Sequence, residues 1–502
     1  MKHRRAARMV LLAGAAIVAF PHAGVAKDVP AQPIPQNPQD AESVRKFVGH
    51  AARPRPVDSF RIPQNPYMAP DPDNNIHDDA YMTDSYARPG PLGKRVKVTS
   101  TFHGAECASV SFDRKGRIIT ICVGAQGPSL LMINPRNLAT KATMPLPPRS
   151  GGGTGSSPFN DFSGGGYFYL DNEYRVVTPT NTRQIWVIGT VAGTDGPAFE
   201  VEETYDLSGT VAPGEGIVSA LPDWDGLIWW VTTRGQVGTV DPATGSVKSV
   251  TLDGEVIANS FAVDETGGVF IVSDHALYRF DSGAEGAPEV TWRREYPRGT
   301  AQKPGQVSQG SGTTPTLLGK KYVAITDNDE PRMNVVVYRR EAGSGGSEVC
   351  AEPVFRKGES ATDNSLIGIG RSLIVENNYG YAGPATTEQG GSTTPGLARV
   401  DFSGGRCRTA WTSKERAPSV VPKASLAAGL VYTYTKPPRE DGIDPWYLTA
   451  LDFRTGKTVF KRLAGTGLGY NNNYAPITIG PDGSAYVGAL GGLVKLHDRP
   501  AN

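Results

Sequence analysis

The strongest constraint on the fold of this chain is that it repeats. Its last stretch, Asn473 to Asp498, reads as three short apolar strands, Pro476 to Gly480, Ala485 to Ala489 and Leu493 to His497. A Pro-Asp-Gly turn separates the first two and a Gly-Gly turn the last two. The same pattern is written at Asn259 to Asp281, at Ile217 to Asp241 with Asp223 to Gly226 as its turn, and at Cys107 to Asn134 with Asp113 to Gly116 as its turn. A repeat of about fifty residues built only of short strands predicts a β-propeller, one four-stranded sheet per blade. The final copy stops one strand short. Lys94 to Phe102, at the front of the repeats, supplies the missing strand, so pairing it with Leu493 to His497 closes the ring and leaves no open sheet edge.

Innermost strands are expected near Glu106, Gly165, Gly216, Asn259, Thr314, Asn364, Lys423 and Asn473, which makes an all-β, single eight-bladed propeller. Seven blades is the alternative if residues 150–210 hold less than a full blade. The domain layout is then a signal peptide at 1–26, a Pro/Asn/Asp-rich extended arm at 27–93, and the propeller at 94–502. The signal rests on the basic Lys2, Arg4 and Arg5, an apolar run from Met9 to Phe20, and small residues at Gly24 to Ala26. It implies a periplasmic or extracellular protein. No later stretch is apolar enough to span a bilayer, and the near-neutral balance of 51 basic and 50 acidic residues gives nucleic acid nothing to hold. A monomer with a small-molecule ligand is the expectation for partners.

Four cysteines suit an oxidising compartment. Cys107 and Cys122 flank a hairpin turn symmetrically and are expected to pair. Cys350 and Cys407 fall in the outer strands of successive blades and are expected to join them. Within the arm, Asp71 to Asp79 opens like a calcium loop. However, Ile76 stands where such a loop needs Gly and Met82 where it needs Glu, so a turn or an arm packed across the propeller is the better reading.

Ala450 to Phe460, with Asp452 and the Thr455-Gly456 turn, resembles the docking motif of the quinoprotein-like, PQQ-repeat-type propeller superfamily. Val240 to Lys248 and Val400 to Trp411 are weaker copies. The chain is also similar to an uncharacterised group of secreted bacterial propellers. The resemblance implies the fold over residues 94–498 and brings calcium and a quinone (PQQ) forward as cofactor classes. Phe460 stands where the motif closes with Trp, and no adjacent cysteine pair accompanies it, which tells against the quinone.

Antiparallel order places the start of each inner strand and the end of each second strand at one mouth of the central channel. That mouth gathers Asn259, Asp327, Asn328, Asn377, Lys423, Asn473 and Tyr474 as ligand-binding candidates. Asp363, Asn364 and Glu376 are the metal-binding candidates, because oxygen donors suit a hard cation such as calcium. Glu376, Lys423 and Asp327 are the candidates for catalysis. The expected function is binding of a small polar or carbonyl-bearing ligand at the mouth, with a calcium-dependent or quinoprotein-like enzyme as its catalytic form. A non-catalytic scaffold or protein-interaction propeller is the alternative.

Overall fold

A computed structural model describes residues 28–149, 161, 163–343 and 345–500. The expected signal at 1–26 lies outside the described residues. Eight sheets are arranged in chain order, each built on four antiparallel strands running from the channel outward, and that of blade 7 also takes in two arm strands, Phe47–Gly49 on its outer edge and Ser85–Tyr86, parallel, on its inner edge. Blade 1 spans residues 105–145, blade 2 169–206, blade 3 217–251 and blade 4 262–295. Blade 5 spans 316–353, blade 6 367–413, blade 7 423–466 and blade 8 477–497. Blade 2 contains four strands, Tyr169–Leu170, Val176–Thr180, Gln184–Gly193 and Gly196–Asp206, so the ring has eight blades and not seven.

The ring closes as the repeat demands. Lys97–Phe102 pairs antiparallel with Gly492–His497, Lys97 facing His497 and Phe102 facing Gly492, and becomes the outer strand of blade 8. Between blades the packing is apolar, with second strands such as Ile228–Thr232 and Val269–Val272 fully buried. Docking contacts join outer edges. The Trp411 indole donates to the Phe453 carbonyl at 2.9 Å, and its ring lies where a Cβ on Gly456 would come within 2.4 Å. Only glycine fits that turn, which also has a φ of +68°. Phe460 is buried and stacks on Phe47 of the arm, ring centroids 6.0 Å apart. Both expected disulfides are present, Cys107–Cys122 across one hairpin and Cys350–Cys407 between the outer strands of blades 5 and 6.

The arm differs from the extended segment that its composition predicts. Its first part does run along the outside, and Phe47–Gly49 adds an edge strand to blade 7. Residues 65–86 then enter the channel and coil inside it. In chain order, the carbonyls of Asn74, Ala80, Tyr81, Thr83, Asp84 and Tyr86 accept from amides on the inner strands of blades 2, 4, 5, 6 and, twice, 7. These amides belong to sheet edges that would otherwise be buried without partners, and one short segment satisfies them in turn. So tight a coil forces Asp78, Met82 and Asp84 to φ values of 79°, 55° and 56°. The result is a plug filling the channel end opposite the inner-strand starts.

Candidate functional site

Above the plug, the near half of the channel remains open as a cavity of about 590 Å³. Ile76 and His77 of the plug form its floor. Its walls come from the first residues of inner strands or the turns before them: Glu106 and Ser109 in blade 1, Tyr167 before blade 2, Asn259 before blade 4, Thr314 before blade 5, Asp363 to Ser365 before blade 6, and Asn473 and Tyr474 before blade 8. Ala105, Ala108, Ile121, Val123, Val421 and Leu490 make much of the remaining surface apolar. Phe102 and Leu468 stand at the rim, 45% and 47% exposed.

The polar groups on this wall are held rigidly. Tyr167 Oη donates to Asn259 Oδ1 at 2.8 Å, and the Tyr167 ring stacks on His77. Asn473 Nδ2 donates to Glu106 Oε2 at 3.1 Å, while Asn473 Oδ1 accepts from Tyr381 Oη at 3.0 Å. Asn473 and Tyr474 are both left-handed, with φ of 36° and 66°, a costly conformation for consecutive non-glycine residues and one that turns them onto the channel. Burial pushes the Glu106 carboxyl up to about 8, outweighing the hydrogen bond from Asn473 and the charge of Arg149. Burial likewise holds Asp363 well above the carboxylate range, although the Val307 amide donates to its Oδ2. Raised in this way, both carboxyls favour the protonated form, which donates a hydrogen bond. Asp363 Oδ1, Asn364 Oδ1 and His77 Nε2 are buried without a hydrogen-bond partner.

Of the residues expected at the mouth, Asn259, Asp363, Asn364, Asn473 and Tyr474 line this cavity and the others do not. Glu376 is turned behind the wall, where its carboxylate accepts from Asn364 Nδ2 at 3.1 Å, Asn378 Nδ2 at 3.0 Å and Thr433 Oγ1 at 3.2 Å. The two amides present nitrogen, not oxygen, to Glu376, so this donor set does not suit calcium. No group of three or more His, Cys, Asp or Glu converges among the described residues. Asp327 accepts from the Asn334 amide and side chain and from the Asp329 amide, and burial pushes it up to about 6. Asn328 donates to the Arg298 and Ala301 carbonyls, and Asn377 to those of Glu359 and Pro395. Both lock loops. Lys423 is fully buried and points into the plug, donating to the Ile76 carbonyl, to Asp78 Oδ1 at 3.3 Å and to Asp84.

The sequence reading missed His77, Tyr167, Glu106 and Ser365 as wall or floor residues. For His77 a signal was present. The run Asp71 to Asp84 is too dense in Asn and Asp for an ordinary linker, and such side chains inside a barrel must find partners.

No family model matches the chain. A protein of Archaeoglobus fulgidus described as uncharacterized is 30% identical over 332 residues, covering 59% of this chain and 64% of that relative, which is less than two thirds of its length. Among solved structures, a streptogramin B lyase is similar with a TM-score of 0.41 at 10% identity, covering 80% of this chain and 97% of that one. The WD40 domain of Toxoplasma gondii coronin is similar with a TM-score of 0.40 at 11% identity, covering 83% of this chain and 90% of that one. Resemblance at this level says nothing about activity.

Proposed function

We propose that the chain binds a small, uncharged, carbonyl-bearing molecule in the channel. The observation that carries this reading is the cavity of about 590 Å³ closed below by the arm, within the usual range for small-molecule sites. Its walls are mainly apolar; burial raises two of its three carboxyl groups, Glu106 and Asp363, so that these offer hydrogen-bond donors, and the third, Asp161, acts on the guanidinium of Arg149, which also lines the cavity. A carbonyl oxygen matches such donors, whereas a carboxylate ligand would have to shed its hydration into an apolar chamber. A scaffold role would instead need a contiguous apolar blade face.

Export to an oxidising compartment fits the two disulfides, and no helix among the described residues is long and apolar enough to cross a membrane. The Trp411–Gly456 contact supports an architectural kinship with quinoprotein-like propellers. The binding reading is tested by calorimetry with matched pairs of cyclic lactones and their ring-opened hydroxy acids. Lactones are expected to bind and their carboxylate forms to bind at least tenfold more weakly. Ala108→Trp, which fills the chamber from its wall, should abolish binding while leaving the melting temperature within a few degrees. Equal affinity for both members of each pair would refute the neutral-donor assignment.

A further inference from the structure

The floor of the cavity carries an arrangement that binding alone does not require. His77 is 3% exposed, and its Nδ1 lies 3.0 Å from Asp84 Oδ1 and 3.2 Å from Ser365 Oγ. Ser365 Oγ donates to Asp84 Oδ2. The hydroxyl proton is thereby committed to the carboxylate, and so Nδ1 must carry the imidazole hydrogen and donate it to Asp84. Asp84 stays ionised: burial would raise it, but the Lys423 ammonium and the hydrogen bonds from His77 and Lys423 hold it below the usual carboxylate range. The lone pair is then on Nε2, the atom that has no hydrogen-bond partner on a residue forming the cavity floor. Stacking of Tyr167 at 6.3 Å, with the ring planes 25° apart, limits rotation of the imidazole.

We propose that His77 is the general base of a proton-transfer reaction, removing a proton from the carbon next to the carbonyl of the bound ligand. The proposal rests on the binding reading above and names the chemistry of the same site. As Nε2 takes the proton, the C–H electron pair forms a carbon–carbon double bond and the carbonyl π pair moves to oxygen. That oxygen accepts a hydrogen bond from neutral Asp363, which lines the same cavity. The ligand carries a carbon–carbon double bond one carbon further along, so proton removal gives a dienolate; the imidazolium returns its proton to the far end of that dienolate as the oxygen pair re-forms the carbonyl, the double bond migrates and no co-reactant is consumed. Ser365 is a positioning residue, acting through Asp84 and His77. The charged and titratable groups around the imidazole are Asp84 and Asp78 on the plug, Lys423 on blade 7, Tyr167 before blade 2 and Asp363 before blade 6.

The test uses the full chain and two readouts. Nitrogen-15 NMR of histidine-labelled protein should show His77 protonated on Nδ1 and bare on Nε2, and the opposite tautomer would overturn the assignment. A panel of β,γ-unsaturated cyclic ketones, with their saturated analogues as unreactive binders, reports turnover by the ultraviolet absorbance of the conjugated product. Wild type should convert the ketones that bind, and His77→Gln should be at least about a hundredfold slower with its affinity for the saturated analogue retained. Ser365→Ala should move the midpoint of the pH–rate profile without loss of fold, a readout that keeps the test decisive if His77→Gln does not fold. Bound ketones that are not converted, or are converted equally by His77→Gln, would overturn the base and leave the binding site standing. Ketones that fail to bind at all would overturn both.

Discussion

At the scale of single residues, the channel is governed by charges removed from water. Lys423 is the clearest case. Burial alone would lower its pKa, but Asp78 and Asp84 raise it; the ammonium helps hold Asp84 ionised, while burial keeps Asp78 well above the carboxylate range. Lys423→Met keeps the stem and removes the charge, leaving Asp84 in the interior without its ammonium. A loss of about 3–5 kcal/mol in urea unfolding is expected for breaking such a buried pair from one side, and a loss below about 1 kcal/mol would mean that the plug is not anchored there. Glu106 gives the opposite sign. Its folded pKa of about 8 lies above that of the unfolded chain, so between about pH 4.5 and 8 the folded state holds a proton that the unfolded state has released. Its contribution is fully present below that window and is lost as pH rises through it. Glu106→Gln cannot titrate. Stability measured across that window should therefore fall less steeply in the variant, by up to about 1.4 kcal/mol per pH unit, and an unchanged slope would place the Glu106 proton elsewhere.

At the scale of elements, two disulfides do unlike jobs. Cys107–Cys122 spans 15 residues within one hairpin, where ladder pairing already holds Cys107 opposite Cys122. Cys350–Cys407 spans 57 residues and ties blade 5 to blade 6 at their outer edges. Chain-entropy reasoning assigns about 3 kcal/mol to the first and about 4 to the second. Replacing Cys350 and Cys407 by Ser should lower the melting temperature more than replacing Cys107 and Cys122, and calorimetry of the two double variants would decide it. The blades, the closing strand and both bridges were legible in the sequence because they follow from local alternation, turn residues such as Asp113 to Gly116 and Pro481 to Gly483, the symmetric spacing of Cys107 and Cys122, and the place of Cys350 and Cys407 in the outer strands of successive blades. Half the mouth was legible for the same reason, since antiparallel order alone brings Asn259, Asp363 and Asn473 together. What was not legible is direction. Glu376 ends a second strand as expected, yet its carboxylate turns behind the wall, a choice made by Asn378 and Thr433 that no strand pattern encodes. Nor does composition tell a linker from a plug, because residues 65–86 pair with strands far away in the chain.

At the scale of the molecule, one N-terminal run completes the propeller twice. Residues 65–86 occupy the channel, and Lys97–Phe102, a short distance later, closes the ring at its rim. The two acts are mechanically joined, since the plug fixes where the closing strand begins. They also join fold to site, because the cavity has no floor without Ile76 and His77. Segments before the plug are held less deeply. Residues 53–56 are exposed, whereas Asp78, Asp84 and Tyr86 are buried and take part in the channel network. A tobacco-etch-virus protease site inserted between Pro54 and Arg55 should therefore be cleavable in the folded protein. The plug should stay seated after the cut, because its carbonyls still serve the inner strands and Arg340 still donates to Tyr81 Oη at 2.9 Å and pairs with Asp264. The melting temperature should drop by only a few degrees and ligand binding should persist. Deleting residues 61–90 with a Gly/Ser relink is a different change, because it exposes the inner-strand amides of several blades to an unfilled channel and strips Lys423 of both its carboxylates. That chain should be recovered as aggregate or as an expanded state that unfolds without cooperativity. If it instead melted cooperatively within a few degrees of the cleaved protein, the plug would be an occupant of the propeller and not a part of its fold.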